Sequence, residues 1–350
     1  MTLLWQSPSF WWQRKPRGLS RIASIGLAPI AAAYGAIAAR RMRQPGVRSG
    51  LPVLCVGNFV VGGAGKTPMA LALAQRLIAA GENPWFLSRG YGSAAEHRPP
   101  FAVDPDKHTA QDVGDEALLL ARVAPTLVSA DRTAAAKIAA ARGAGILILD
   151  DGLQTPSLEK DLRLALVDAI NGIGNGLCLP AGPLRAPLPA QIAFASALVI
   201  VGEGPQGADL AELARQSGKP VIKARLTIPA DVAGQLADRR VYAFAGIGHP
   251  EKFFASLTET GAQIVGTARF PDHYAYRRVD IADLQRAARG MDAQLVTTEK
   301  DFVRLRPWDD FVIPALPEPM PIPVAIQISD AEALDRLVET AIRHARQNTP

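Results

Sequence analysis

Cysteine and histidine are scarce in this chain of 350 residues, which has two of the first and five of the second. No Cys/His cluster has zinc-site spacing, so any metal should be a hard cation held by oxygen ligands. Cys55 and Cys178 sit in apolar or Gly/Pro-rich surroundings and are expected as reduced cytoplasmic thiols rather than a disulfide. Charge is also low, at 20% against 48% hydrophobic residues, which excludes a disordered chain and describes a well-filled core. The length suggests two domains, or one domain with a substantial appendage.

Acidic residues are absent from the first fifty positions, where Arg14, Lys15, Arg17, Arg21, Arg40, Arg41, Arg43 and Arg48 all fall. Such an end is drawn to polyanions, either nucleic acid or anionic lipid. Between its basic clusters, residues 22–39 run for eighteen positions without a charge, just long enough to be weighed as a membrane span. The run is Ala/Gly-rich and carries Pro29, so its drive to insert is modest. Trp5, Phe10, Trp11 and Trp12 upstream are residue types that settle at a headgroup interface. A membrane-surface or half-inserted helix is therefore expected, in preference to a true span or a buried core helix. A cleaved signal peptide is not expected, because the apolar run starts late.

From Leu51 onward, short apolar runs ending in Gly, Asp, Asn or Ser alternate with Ala-rich helical stretches. Strands are expected at 53–59, 85–88, 126–128, 145–149, 162–167, 198–201 and 221–224. Runs this hydrophobic read as a parallel sheet covered on both faces. A second set is expected at 241–245, 263–268, 294–297 and 324–328, with helices such as 250–260 and 280–289 between them. The expected fold is thus α/β, with a mostly parallel sheet domain like that of P-loop NTPases, a smaller α/β domain and an N-terminal membrane-associating helix. The corresponding segments are 1–48, 49–228 and 229–350, the last closing the active-site cleft. Residues 177–189, with four prolines, read as an ordered loop over the first domain.

The strand at 53–59 leads into Val60, Val61, Gly62, Gly63, Ala64, Gly65, Lys66 and Thr67, and a helix follows with Pro68 in its first turn. Glycines there let backbone N–H groups turn onto phosphate oxygens at the positive end of the helix dipole. Lys66 would reach the β- and γ-phosphates of a nucleotide, and the Thr67 hydroxyl would ligate Mg²⁺. The strict phosphate-loop pattern needs glycine at position 60, where this chain has valine.

Other polar residues fall at strand ends, which point into the ligand crevice of a parallel sheet. Asp150 and Asp151 close one strand, and either carboxylate could serve the Mg²⁺ held by the loop threonine. Asp115 opens a helix after Gly114, where spacing alone favours a cap. Arg89 could bind a phosphate or sugar, or form a strand-end salt bridge. His273 beside Asp272 is better placed for chemistry than His249. The segment 297–301 lacks the order of residues that reads guanine, so ATP is preferred to GTP.

Together these segments resemble the tetraacyldisaccharide 4′-kinase family of lipid A biosynthesis. The resemblance rests on 56–68, Ser88-Arg89-Gly90-Tyr91, Val113-Gly114-Asp115-Glu116, Ser129-Ala130-Asp131-Arg132, 149–154, 180–185, Phe270-Pro271-Asp272-His273 and 297–301, which occur in the family's order across nearly the whole chain. The family's loop also has a non-glycine at the position of Val60. The resemblance implies transfer of the γ-phosphate of ATP to the 4′-hydroxyl of a tetraacyl glucosamine disaccharide 1-phosphate, at the cytoplasmic face of the bacterial inner membrane. It raises Asp115 to general base, with His273 as its orienting partner, Lys66 on the phosphates, Thr67 with Asp150 or Asp151 on Mg²⁺, and Arg89 on the anionic lipid. It implies a lipid substrate and a membrane surface as partners, with no nucleic acid and no protein partner. Two rivals are a membrane-positioned ATPase switch, against which Val61 speaks, and a nucleic-acid-binding ATPase using the basic N-terminus.

Overall fold

The computed structural model describes residues 7–14, 16–305, 316 and 318–348; Trp5 and Lys15 lie outside them. Among these residues two sheets organise the chain. The larger contains β1 (Val53–Asn58), β2 (Pro84–Ser88), β3 (Phe101–Ala102), β4 (Thr126–Val128), β5 (Ile146–Asp150), β6 (Leu162–Asp168), β7 (Ala197–Val201) and β8 (Val221–Thr227). The smaller contains β9 (Arg240–Ala245), β10 (Gln263–Arg269), β11 (Gln294–Thr298) and β12 (Met320–Ile322), all parallel in the order β10-β9-β11-β12. β13 (Ala325–Ile328) then returns to the larger sheet, which reads β13-β8-β7-β6-β1-β5-β2-β4-β3. Its two edge strands are antiparallel and the strands between them parallel.

β1, β5 and β7 are buried at every position because helices cover both faces. The period of two sorts their side chains. Leu54, Val56, Ile146 and Ile148 face Met69, Leu73 and Leu77 of helix Lys66–Ala79, together with Leu334, Val338 and Ile342 of helix Ala331–Gln347. Val53, Cys55, Leu147 and Leu149 face Ala135, Ala136 and Ala139 of helix Arg132–Ala141 on the other side. With β1 central, the carboxyl ends of β2, β5 and β6 line one crevice around the loop that follows it.

One expectation needs correction. The strand at 324–328 was grouped with the second set, but Ala325–Ile328 pairs antiparallel with β8. Helix Ala331–Gln347 then buries its apolar stripe on the larger sheet, and Arg76 forms an ion pair with Asp335 across the two helices. The 229–350 segment is therefore not one unit: the smaller sheet is inserted between β8 and β13. The helix covers the face beside helix Lys66–Ala79, whereas the smaller sheet packs against its own helices and core.

Helix Leu19–Met42 is long and apolar enough to cross a membrane by length and composition. Ala31, Gly35 and Ala39, four apart, form a buried stripe that approaches Cys178 and Pro187. Leu19, Ile22, Ile25, Ile30 and Ile37 are exposed. Two of the upstream aromatics make protein contacts: Trp11 is buried and its indole N–H donates to the Pro180 carbonyl at 3.0 Å, while the Trp12 ring lies edge-on to His249 at 6.0 Å. Trp11 is thereby anchored on the loop 171–187.

Leu334 is fully buried against the larger sheet. Leu334→Ala should lower the unfolding free energy by about 2–5 kcal/mol in urea titrations, as cavity-forming substitutions do.

Candidate active site

The loop after β1 turns because Gly62 and Gly65 adopt positive φ, 101° and 83°, which a side chain would resist. Gly65 caps helix Lys66–Ala79, whose first N–H groups have no intrahelical partner. The loop is pinned from outside: the Val61 N–H donates to the Pro183 carbonyl at 2.9 Å, and Arg185 Nε donates to the Val60 carbonyl at 3.0 Å. The Gly62 carbonyl accepts from Asn58 Nδ2 at 2.8 Å and Lys66 Nζ at 3.1 Å. Val60 and Val61 thus contribute backbone, which explains why valine is tolerated where the strict pattern has glycine.

Asp150 and Asp151 end β5 next to this loop, and their environments diverge. Asp151, at φ 55°, takes a two-pronged contact from Arg185 at 2.7 and 2.8 Å and has Lys66 Nζ at 3.6 Å. Burial raises its pKa, but Lys66 and Arg185 outweigh this and hold it well below the carboxylate range. Both Asp150 oxygens are buried without a hydrogen-bond partner among the described residues. Burial, reinforced by the charge of Glu116, pushes its pKa up to about 7.

Asp115 begins helix Asp115–Ala121 and is buried. Its Oδ2 accepts from Arg304 Nε at 2.9 Å and Nη2 at 2.6 Å, and His273 Nδ1 lies 3.3 Å away. Burial works to raise its pKa, but His273, Arg304 and Lys300 hold it well below the ordinary value. His273 is raised, chiefly by hydrogen bonding with Asp115. Glu116 pairs with Lys300 at 2.6 Å, and its field reaches both Lys66 and Asp150. The start of this helix therefore borders the phosphate loop, while its cations come from helix Glu299–Arg304 of the smaller lobe.

Arg89 is 60% exposed and forms an ion pair with Glu96 at 2.8 Å, the salt bridge weighed as its alternative. Asp131 caps helix Arg132–Ala141, and buried Arg132 donates to the Leu87 and Asp150 carbonyls. Arg304 was not singled out from the sequence, and Lys300, Arg185 and Glu116 were quoted only within longer motifs. Only the i,i+3 spacing of Asp301 and Arg304 hinted at a buried pair, at 2.9 Å here.

A family model described as tetraacyldisaccharide-1-P 4′-kinase (LpxK) matches residues 23–343. The chain belongs to this family. It is 51% identical over 335 residues to the tetraacyldisaccharide 4′-kinase of Methylobacterium radiotolerans, covering 96% of this chain and 98% of that one. It is 46% identical over 350 residues to the Bradyrhizobium sp. (strain BTAi1) protein of the same name, covering 99% and 98%. The fold matches the "apo" form LpxK from Aquifex aeolicus, whose crystal structure is described as a complex with ATP. The TM-score is 0.69 at 25% identity, over 91% of this chain and 99% of that one. This bears out the expected family and α/β architecture.

The raised pKa of His273 has a thermal consequence. A group whose folded pKa exceeds its unfolded value adds stability that is complete below the unfolded value, about 6.5, and is lost as pH rises through the folded one. The melting-temperature gap between the parent chain and His273→Asn should therefore be wider at low pH than at high pH, as read by thermal denaturation across that range. Asp115, held ionised, does not cancel it.

Proposed function

We propose that this chain transfers the γ-phosphate of ATP to the 4′-hydroxyl of a tetraacyl glucosamine disaccharide 1-phosphate, the lipid A precursor. The observation that carries the reading is the placement of an ionised, histidine-contacted carboxylate, Asp115, on a helix that starts beside the phosphate loop. The loop N–H groups and Lys66 would hold the β- and γ-phosphates and stabilise the charge that shifts toward the leaving group. As the 4′-oxygen bonds to the γ-phosphorus and the bond to the β-bridging oxygen breaks, Asp115 would take the hydroxyl proton and ADP would leave. A low-pKa base suffices, because the proton moves late, and His273 can fix the carboxylate and share the proton.

The residues also fit a magnesium ion. The carboxylate of Asp150, without a hydrogen bond among the described residues, ends β5 beside β1, whose loop leads into Thr67 in the first turn of helix Lys66–Ala79. Thr67 and Asp150 would hold the ion, with Asp151 engaged instead by Arg185 and Lys66. When bound, the ion would supply charge neutralisation on the phosphates. Arg89, exposed at the end of β2, would exchange its Glu96 contact for an anionic group of the lipid.

An acylated acceptor stays in a bilayer, so the enzyme must reach it. The exposed isoleucines of helix Leu19–Met42, flanked by Arg21, Arg40, Arg41 and Arg43, suit a helix lying in the headgroup layer of an anionic membrane. An acceptor held in a bilayer and a need for ATP support a site of work at the cytoplasmic face of the inner membrane.

Label transfer from γ-labelled ATP to the purified precursor tests the reaction. Lys66→Ala and Asp115→Ala should each lower transfer by at least about a hundredfold, the scale of general-base and phosphate contacts. Robust hydrolysis without acceptor that ignores Asp115→Ala would sink the mechanism. Replacing Ile22 and Ile25 together by Glu should abolish flotation with anionic liposomes while leaving the melting temperature nearly unchanged. Flotation retained by this variant would overturn the role of the helix, and salt-sensitive retention of RNA in place of flotation by the parent chain would overturn the membrane assignment.

A further inference from the structure

The Asp115–His273 pair spans two lobes, yet it has no backbone connection of its own that would fix both partners together. Helix Asp115–Ala121 carries the carboxylate, whereas His273 sits in a turn after β10 with φ 55°. One group touches the supports of both. Arg304, with a side chain 8% exposed, directs Nε and Nη2 to Asp115 Oδ2 at 2.9 and 2.6 Å. Its Nη1 donates to the Gly246 carbonyl at 2.8 Å, and that same carbonyl accepts the His273 backbone N–H at 3.1 Å.

The anchor under this arrangement is itself built. Asp301, fully buried, accepts from Arg304 Nη1 at 2.9 Å, from the Gly246 N–H at 3.0 Å and from the Tyr276 hydroxyl at 2.8 Å. It also contacts the Thr298 hydroxyl at 2.6 Å. Gly246 has no room for a side chain: a Cβ would stand 2.9 Å from the Tyr276 oxygen and 3.0 Å from Asp301 Oδ1. A planar guanidinium can serve a carboxylate through one edge and a carbonyl through its remaining nitrogen, which an ammonium cannot do in fixed geometry.

We propose that Arg304 is a positioning residue for the Asp115–His273 pair, setting the carboxylate directly and the histidine through the Gly246 carbonyl. The proposal rests on the kinase mechanism above but can be tested apart from it. The charged groups facing the pair are Arg304 and Lys300 on helix Glu299–Arg304, Asp272 beside His273, and Glu116 beside Asp115.

Arg304→Ala would take the guanidinium from two buried carboxylates and is expected to destabilise the fold strongly, so Arg304→Lys is the informative variant. It keeps the charge and removes the fork. In the full-length protein it should retain the parent's circular dichroism and ATP KM, and lose about tenfold or more in kcat, the scale of a small misplacement of catalytic groups. The His273 imidazole titration, followed by NMR, should fall toward its ordinary value as the contact with Asp115 loosens. A parent-like kcat with an unmoved His273 titration would overturn the proposal. So would a loss of activity that merely tracks the folded fraction while the titration stays put. If the parent chain transfers no phosphate to the lipid, the kinase mechanism fails, and the His273 titration still judges the role of Arg304.

Discussion

Carboxylates gather at the carboxyl edge of the larger sheet because a parallel sheet points its strand ends into one crevice. Asp115, Glu116, Asp150 and Asp151 would repel one another there, and burial would push all four toward the neutral acid. The site survives as a charged site because separate segments deliver matching cations. Arg185 and Lys66 meet Asp151, Lys300 meets Glu116, and Arg304 meets Asp115. Asp150 is left without a partner, and its pKa alone of the four rises. That contrast is what favours Asp150 over its neighbour in the magnesium site proposed above.

The smaller lobe is explained by the same accounting of charge. Lys300 and Arg304 are four residues apart, hence on one face of helix Glu299–Arg304, and they meet two carboxylates that are adjacent in sequence. Thr298 fixes where that helix begins by accepting the Asp301 N–H. The lobe therefore does more than cover the cleft. It carries the positive half of interlobe ion pairs at Asp115, Glu116 and Asp168, and separating the lobes would take those cations away.

What the sequence made legible follows from local physics. The strand–glycine loop–helix unit could be read because apolar runs, positive-φ glycines and a following helix are all consecutive in the chain. The grouping of 324–328 could not, since an edge strand carries no local mark of which sheet it joins, and its true partner is β8, about a hundred residues earlier. Arg304 was silent for the same reason: a charged residue next to apolar neighbours looks like any helix surface until Asp115, 189 positions away, is placed beside it. Trp11 and Trp12 have the composition of an interfacial belt, and only the fold puts Trp11 on Pro180 and Trp12 beside His249. Spacing left Asp150 and Asp151 equivalent; the reach of Arg185 separates them.

The Pro-rich loop connects the chain's two ends of activity. Its residues Pro183 and Arg185 hold the backbone of the phosphate loop at Val61 and Val60. Its residues Cys178 and Pro187 lie against Gly35, in the buried stripe of helix Leu19–Met42, and Pro180 receives Trp11. A single ordered segment thus touches the helix proposed to rest on the membrane and the loop proposed to hold ATP. Proline restricts the backbone, and the packed stripe of small residues leaves little slack, so the distance between these two features is set by covalent geometry and contact rather than by a flexible linker. If the helix rests on the membrane as proposed, this packing would hold the phosphate loop at a set height above the bilayer that keeps the acceptor's acyl chains. The sugar must arrive at the γ-phosphate while its chains stay in lipid, and a rigid spacer meets both demands at once.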